Sequence, residues 1–178
     1  MLRIENPNQV TAQRHLRGLY VNTQGTPYAG FLSSTLADGS TPFTRGSGAV
    51  PGAAGQGPIF PGICAGWANA GGENFAVFTA GATMAPAGFF ANYVGGDFDD
   101  LGSQSWVSVW YGPGSVYEIL TPVFNANITA ADEATGADRL LYPDADGKLN
   151  DTQTGSDPAF ARLIDWVSAS KIVVMSLV

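Results

Sequence analysis

The sequence predicts an all-β domain, a sandwich or small closed barrel, carrying an extended N-terminal arm. Three observations lead there. The 178 residues include 23 Gly and 11 Pro, above the roughly 12% of an average chain yet below a disordered composition, which disfavours helices and favours short strands joined by many turns. Hydrophobic residues make up 45%, enough for one buried core in a chain of this length. The strongest local patterns, NFAVFTA, SWVSVWY and SVYEILT, are rich in β-branched and aromatic side chains.

Charge divides the chain unevenly. Residues 1–45 hold Arg3, Arg14, Arg17 and Arg45 against Glu5 and Asp38, a small positive excess, whereas the remainder holds four basic and thirteen acidic groups. The division predicted is a basic, extended arm over 1–45 and a β domain over 46–178. An arm of this kind orders only when it lies on another surface. The alternative is an ordinary first strand and loop of the same domain. No stretch in the leader has the apolar length of a signal peptide and none in the chain that of a membrane helix, so synthesis as a soluble chain in the cytoplasm is expected.

Residues 46–72, GSGAVPGAAGQGPIFPGICAGWANAGG, form a Gly-rich segment in which Ile59, Phe60, Ile63 and Trp67 stand alone as large apolar groups. Those groups want burial, so the segment reads as an irregular packed loop over a barrel or against a partner chain. It is not a phosphate cradle, because no Gly-Lys-Ser/Thr closes it and no G-x-G-x-x-G opens a helix. Strands follow over 73–178. Asn74–Ala80 comes first; Ser105–Tyr111 and Ser115–Thr121, separated by Gly112-Pro113-Gly114, read as a hairpin. In SWVSVWY the apolar set breaks strict alternation, which predicts cover on both faces. Arg139–Tyr142 and Lys148-Leu149 read as a second hairpin around Asp146-Gly147. Ala161–Ser168 and Lys171–Val178 are two closing strands broken at Ala169-Ser170.

Chemistry is sparse. The net charge of −7 and only eight basic side chains exclude a duplex-coating protein, since phosphate affinity rests on clustered Lys and Arg. One cysteine, Cys64, excludes an internal disulfide and a Cys-only zinc site, and reads as a small buried hydrophobe. One histidine, His15, lies in the leader rather than on a rigid scaffold, and no G-x-S-x-G elbow is present. Asp97, Asp99 and Asp100 cluster after two glycines. A solvated turn is the plain reading, with a calcium site and a carboxylate pair of Asp97 and Asp99 as alternatives. The Asp144-Ala-Asp146-Gly147 turn lacks the third oxygen ligand and the Glu of an EF-hand, so it reads as a hairpin turn. Four Trp and six Tyr fit a core or subunit interface better than a sugar-stacking platform, because most lie inside predicted strands. No catalytic residue, metal site or cofactor is expected.

The order of elements over residues 75–178 resembles the head decoration (cement) proteins of tailed bacteriophages. It is carried by a Pro-flanked strand at Pro122–Thr129 followed by Ala130-Ala131-Asp132, by Leu140-Leu141-Tyr142 leading into Asp146-Gly147-Lys148-Leu149, and by the closing strands Ala161–Trp166 and Lys171–Leu177. The resemblance implies a small all-β barrel or tulip-like domain that forms a homotrimer on the capsid exterior and reinforces the shell. It implies the major capsid protein and further copies of the chain as partners, with neither nucleic acid nor membrane. The arm then supplies Arg3, Arg14 and Arg17 as charge contacts to the shell, and Ile59, Phe60, Ile63 and Trp67 pack at an interface. A carbohydrate- or receptor-binding β module of a phage or bacterial surface is the alternative, and a hydrolase using Asp97 and Asp99 a distant third.

Overall fold

The computed structural model describes residues 16–20, 28–43, 57–68, 74–94, 106–134 and 139–178. They form eleven strands and one short helix: β1 (Leu16–Tyr20), β2 (Tyr28–Leu32), β3 (Cys64–Trp67), β4 (Asn74–Val77), β5 (Pro86–Phe90), β6 (Trp106–Trp110), β7 (Val116–Leu120), α1 (Ala130–Ala134), β8 (Leu140–Pro143), β9 (Leu149–Asn150), β10 (Ala161–Ser168) and β11 (Lys171–Ser176). The all-β expectation holds. Five strands close a barrel in the order β2-β4-β3-β5-β6, and six form a second sheet, a half-barrel, in the order β1-β7-β11-β10-β8-β9. Every pair is antiparallel except β2 with β4.

The barrel is built from strands that a pattern search passes over. Cys-Ala-Gly-Trp of β3 sits inside the Gly-rich segment expected to be a loop, yet it pairs with β4 on one side and β5 on the other. Small residues are required there. A Cβ at Gly66 would stand 2.6 Å from Phe78 Cδ2, and one at Gly88 of β5, where φ is +132°, would stand 2.1 Å from Trp110 O. Close approach of backbones thus selects glycine, and glycine erases the β signature. Part of the expected arm is also barrel: β2 pairs with β4 and β6, and Leu32, Leu36 and Ala37 are buried.

The expected hairpin of Ser105–Tyr111 with Ser115–Thr121 does not form. Both strands exist, but β6 pairs with β2 and β5, while β7 pairs with β1 and β11. Gly112-Pro113-Gly114 instead hands the chain from barrel to sheet. Its amides are satisfied by the C-terminus, Gly112 N donating to Val178 O (3.0 Å) and Gly114 N to Ser176 O (2.9 Å). The Pro-flanked strand expected at Pro122–Thr129 is likewise replaced by turns, which join the sheet by a single β-bridge, Phe124 with Leu149, and by hydrogen bonds such as Asn125 N to Leu149 O. The second expected hairpin forms, β8 with β9, and the two closing strands, β10 and β11, pair antiparallel with each other.

Three features lock the halves together. Asp144 Oδ1 accepts the amides of Asp146 (2.8 Å) and Lys148 (2.9 Å), shaping the β8–β9 turn. Gly147 O then accepts Cys64 N (2.8 Å), and Asp144 O accepts Ala80 N (2.9 Å), so the sheet's turn is docked on the barrel. Behind it runs a column of rings in which side chains from the barrel and from the sheet side alternate. Phe78 meets Phe160 at 4.9 Å, Phe160 meets Phe89 at 6.0 Å, Phe89 meets Tyr117 at 5.8 Å and Tyr117 meets Trp110 at 6.5 Å. Edge-to-face contacts of this kind add to the burial of the rings themselves. Asp157, itself buried, receives the Gly81 amide on both carboxylate oxygens at 2.8 Å, a further bond between the segment ahead of β10 and the barrel.

Candidate interaction surfaces

Among the described residues, no group of three or more His, Cys, Asp or Glu side chains could hold a metal ion. The Cys64 thiol is fully buried, and burial together with the nearby Asp144 charge pushes it well above its ordinary range, so it is held as an inert thiol. Burial raises the Tyr117 hydroxyl to about 12 despite the neighbouring Ser115. Burial likewise raises the Asp144 carboxyl, the amides of Lys148 and Asp146 opposing that shift. These groups lie in the seam between barrel and sheet and serve the fold.

His15, Arg3, Arg14, Asp97, Asp99 and Asp100 lie outside the described residues. Arg17 occupies β1, in register opposite Glu118 of β7. Glu118 in turn faces Lys171 Nζ at 3.6 Å. The apolar residues of the Gly-rich segment are drawn into the chain's own packing. Ile59 is 1% exposed and exchanges backbone hydrogen bonds with Val94, and Ile63 is 5% exposed. Phe60 rests on Tyr93 (5.4 Å) and Trp67 on Phe75 (4.9 Å), both half-buried and both keeping some outward surface.

Large exposed apolar side chains occur elsewhere: Trp106, Tyr111, Ile164 and Val167. Two of them arise from irregular pairing. The β10–β11 register shifts between Leu163 and Asp165 and again between Trp166 and Ser168, and the extra residues, Ile164 and Val167, are left outward. Beyond its short pairing with β8, the outer edge of β10 is closed by other groups. Leu163 N donates to Arg139 O (2.7 Å), Trp166 N to Glu133 Oε2 of α1 (3.3 Å) and Trp166 Nε1 to Ile128 O (3.2 Å). That edge is thereby withdrawn from pairing with another chain. At the sheet's far end β1 has β7 as its only partner strand among those described.

Charge is segregated between the halves. The five barrel strands, YAGFL, CAGW, NFAV, PAGFF and WVSVW, contain no charged residue. The basic residues at described positions, Arg17, Arg139, Lys148, Arg162 and Lys171, all belong to the six-stranded sheet or its connections. On the outward side of β10, Arg162, Ile164, Asp165 and Val167 alternate charge with apolar surface. Polar and apolar groups interleaved in this way suit a rigid protein surface better than a small-molecule pocket. Sequence periodicity could not have found Ile164 or Val167, because their exposure follows from two register shifts; the charge-free barrel was legible, but only once its strands were known.

The model of the phage cement protein family matches residues 1–177. Neither the curated proteins nor the solved structures contain a match.

Proposed function

The chain belongs to the phage cement protein family, and from that premise we propose that it decorates and stabilises the outer surface of a phage capsid as a homo-oligomer, without catalysis. A structural role in the virion and binding to the capsid follow from the family. The major capsid protein as the direct partner, a homotrimeric state, and synthesis in the host cytoplasm belong to the proposal. The family match over nearly the whole chain carries the reading.

Segregation of charge supports it physically. β1, which follows the leader bearing Arg3 and Arg14 in sequence, is an edge of the one sheet that holds every basic residue at a described position. Acidic groups outnumber basic ones on that sheet and its connections, so the cationic contribution in this reading is the leader's, suited to a partner surface bearing carboxylates. Each copy adds modest contacts. Repeated over an oligomer and a shell, such contacts stabilise the bound state by linkage and avidity.

The experiment mixes undecorated capsids with the full chain and with a chain lacking residues 1–15, and counts bound copies after sedimentation. The deletion ends before β1 so that the sheet keeps its edge strand. Saturable binding by the full chain and loss of at least about tenfold in affinity by the shortened one are expected, by analogy with the removal of steering and docking charges. Equal binding by both removes Arg3 and Arg14 from the contact, and absence of binding by either removes the decoration reading.

A second reading, a carbohydrate- or receptor-binding β module, is favoured by one observation: Trp106 stands 63% exposed. Reproducible, saturable binding to a glycan array would support it.

A further inference from the structure

Trp106 is the most exposed large apolar side chain among the described residues. It begins β6, in register opposite Phe31 of β2. The two rings lie 4.2 Å apart between centroids at an interplanar angle of 39°. Phe31 is itself half-buried, so the pair presents a continuous aromatic surface. The remaining barrel strands offer no equivalent, since β3, β4 and β5 are buried nearly throughout.

What could cover this surface is constrained by charge. Each chain carries a net −7, so two copies repel as they approach and can meet at low cost only where the contact brings no further like charge together. The barrel strands carry none at all, whereas β7, β10 and β11 present Glu118, Asp165, Arg162 and Lys171. Aromatic side chains on a surface depleted of charge are the composition of the buried centre of interfaces between identical subunits. A sugar is a poorer fit. Phe31 already lies against the indole, occupying part of the ring surface on which a sugar would stack.

We infer that the Phe31–Trp106 face of the barrel is the surface on which a second copy of this chain docks. The inference rests on the homo-oligomeric reading above and assigns the face that serves it, leaving the charged sheet and its leader for the shell. The indole is the contact's anchor, and its loss weakens self-association on the scale of an interface hot spot.

The experiment compares sedimentation and light-scattering masses of the full chain with those of Trp106→Ser, Trp106→Phe and Ile164→Ser. The natural chain is expected to sediment as a multiple of its 18.5 kDa protomer. Trp106→Ser should associate about 30-fold more weakly, the affinity equivalent of a hot-spot loss, with an unchanged far-ultraviolet circular dichroism spectrum. Trp106→Phe and Ile164→Ser should keep the natural mass. A Trp106→Ser chain that stays assembled overturns the inference and leaves the oligomer standing; a natural chain that sediments as a protomer overturns both. Loss of glycan-array binding in Trp106→Ser at unchanged mass overturns it in favour of the carbohydrate reading. Iodide quenching gives a check that needs no folding-sensitive variant. In the assembled natural chain Trp106 is shielded, so Trp106→Phe should leave the quenchable fraction of fluorescence unaltered, and a large drop in that fraction overturns the inference.

Discussion

The barrel and the six-stranded sheet solve the same burial problem with opposite compositions. Barrel strands are short, uncharged and rich in Gly, Ala and aromatic residues, because most of them are covered on both faces and their backbones approach closely, as at Gly66 and Gly88. Sheet strands alternate buried with outward residues, as in β7 and β11, and place charges on the outward side. The lesson is that cover on two faces removes the periodicity that identifies a strand, while cover on one face creates it. The contrast is also functional in the reading proposed here, with the half whose strands carry no charge meeting further copies and the charged sheet meeting the shell.

The contrast breaks most sharply at the rings that join the halves. Phe160 is fully buried and touches both Phe78 and Phe89, so Phe160→Ala should lower stability by about 3–5 kcal/mol through lost burial and the cavity left behind. Urea unfolding checks this, and a loss below about 1 kcal/mol would show that the halves do not depend on the column. Gly147→Ala comes next, at about 2–4 kcal/mol. Here φ is +78° and a Cβ would stand 2.7 Å from Val77 Cγ1 and 2.9 Å from Phe78 O, so strain and overlap act together. If the same measurement finds Gly147→Ala neutral, the β8–β9 turn is not held against the barrel as described.

Asp144 sharpens the comparison through pH. Burial raises its carboxyl above the ordinary 3.8, so the folded chain holds that proton more tightly than the unfolded chain. Ionisation therefore costs stability at neutral pH, and the cost is relieved as pH falls through the raised value toward 3.8. Asp144→Asn lacks this dependence, so natural protein should gain on the variant as pH falls from 7 toward 3.8. Parallel stability curves for the two would refute the assignment. The smallest effect belongs to the outward face of the sheet. Lys171→Ala removes a partly exposed pair with Glu118 at 3.6 Å and should cost less than about 1 kcal/mol, diminishing in salt; a larger loss in a double-mutant cycle with Glu118→Ala would place that pair within a tighter network.

Legibility in the sequence followed these same differences. The β8–β9 turn was readable because Asp144, Asp146 and Gly147 act within five residues of each other, and the strands β10 and β11 because each is a continuous run rich in β-branched residues. Strands β3 and β5 were hidden by glycine and alanine chosen for close packing. The pairing of Ser105–Tyr111 with Ser115–Thr121 was misjudged because a Gly-Pro-Gly turn fixes a change of direction and says nothing of which neighbour a strand will take. Ile59 and Ile63 illustrate the limit for surfaces. Their hydrophobicity announced burial, and only the fold shows that the chain's own barrel provides it.

By itself, then, the sequence determined the all-β class, the scarcity of catalytic groups, the acidic body with its basic leader, the β8–β9 hairpin and the two closing strands. These depend on composition and on contacts between residues near one another in the chain. The tertiary structure decided the division into a closed barrel and a six-stranded sheet, the incorporation of residues 28–43 into the barrel, the cover over Ile59 and Ile63, and the exposure of Trp106, Ile164 and Val167. Those features are set by pairing between distant segments, where register and close backbone approach select among arrangements that local propensity leaves equally open.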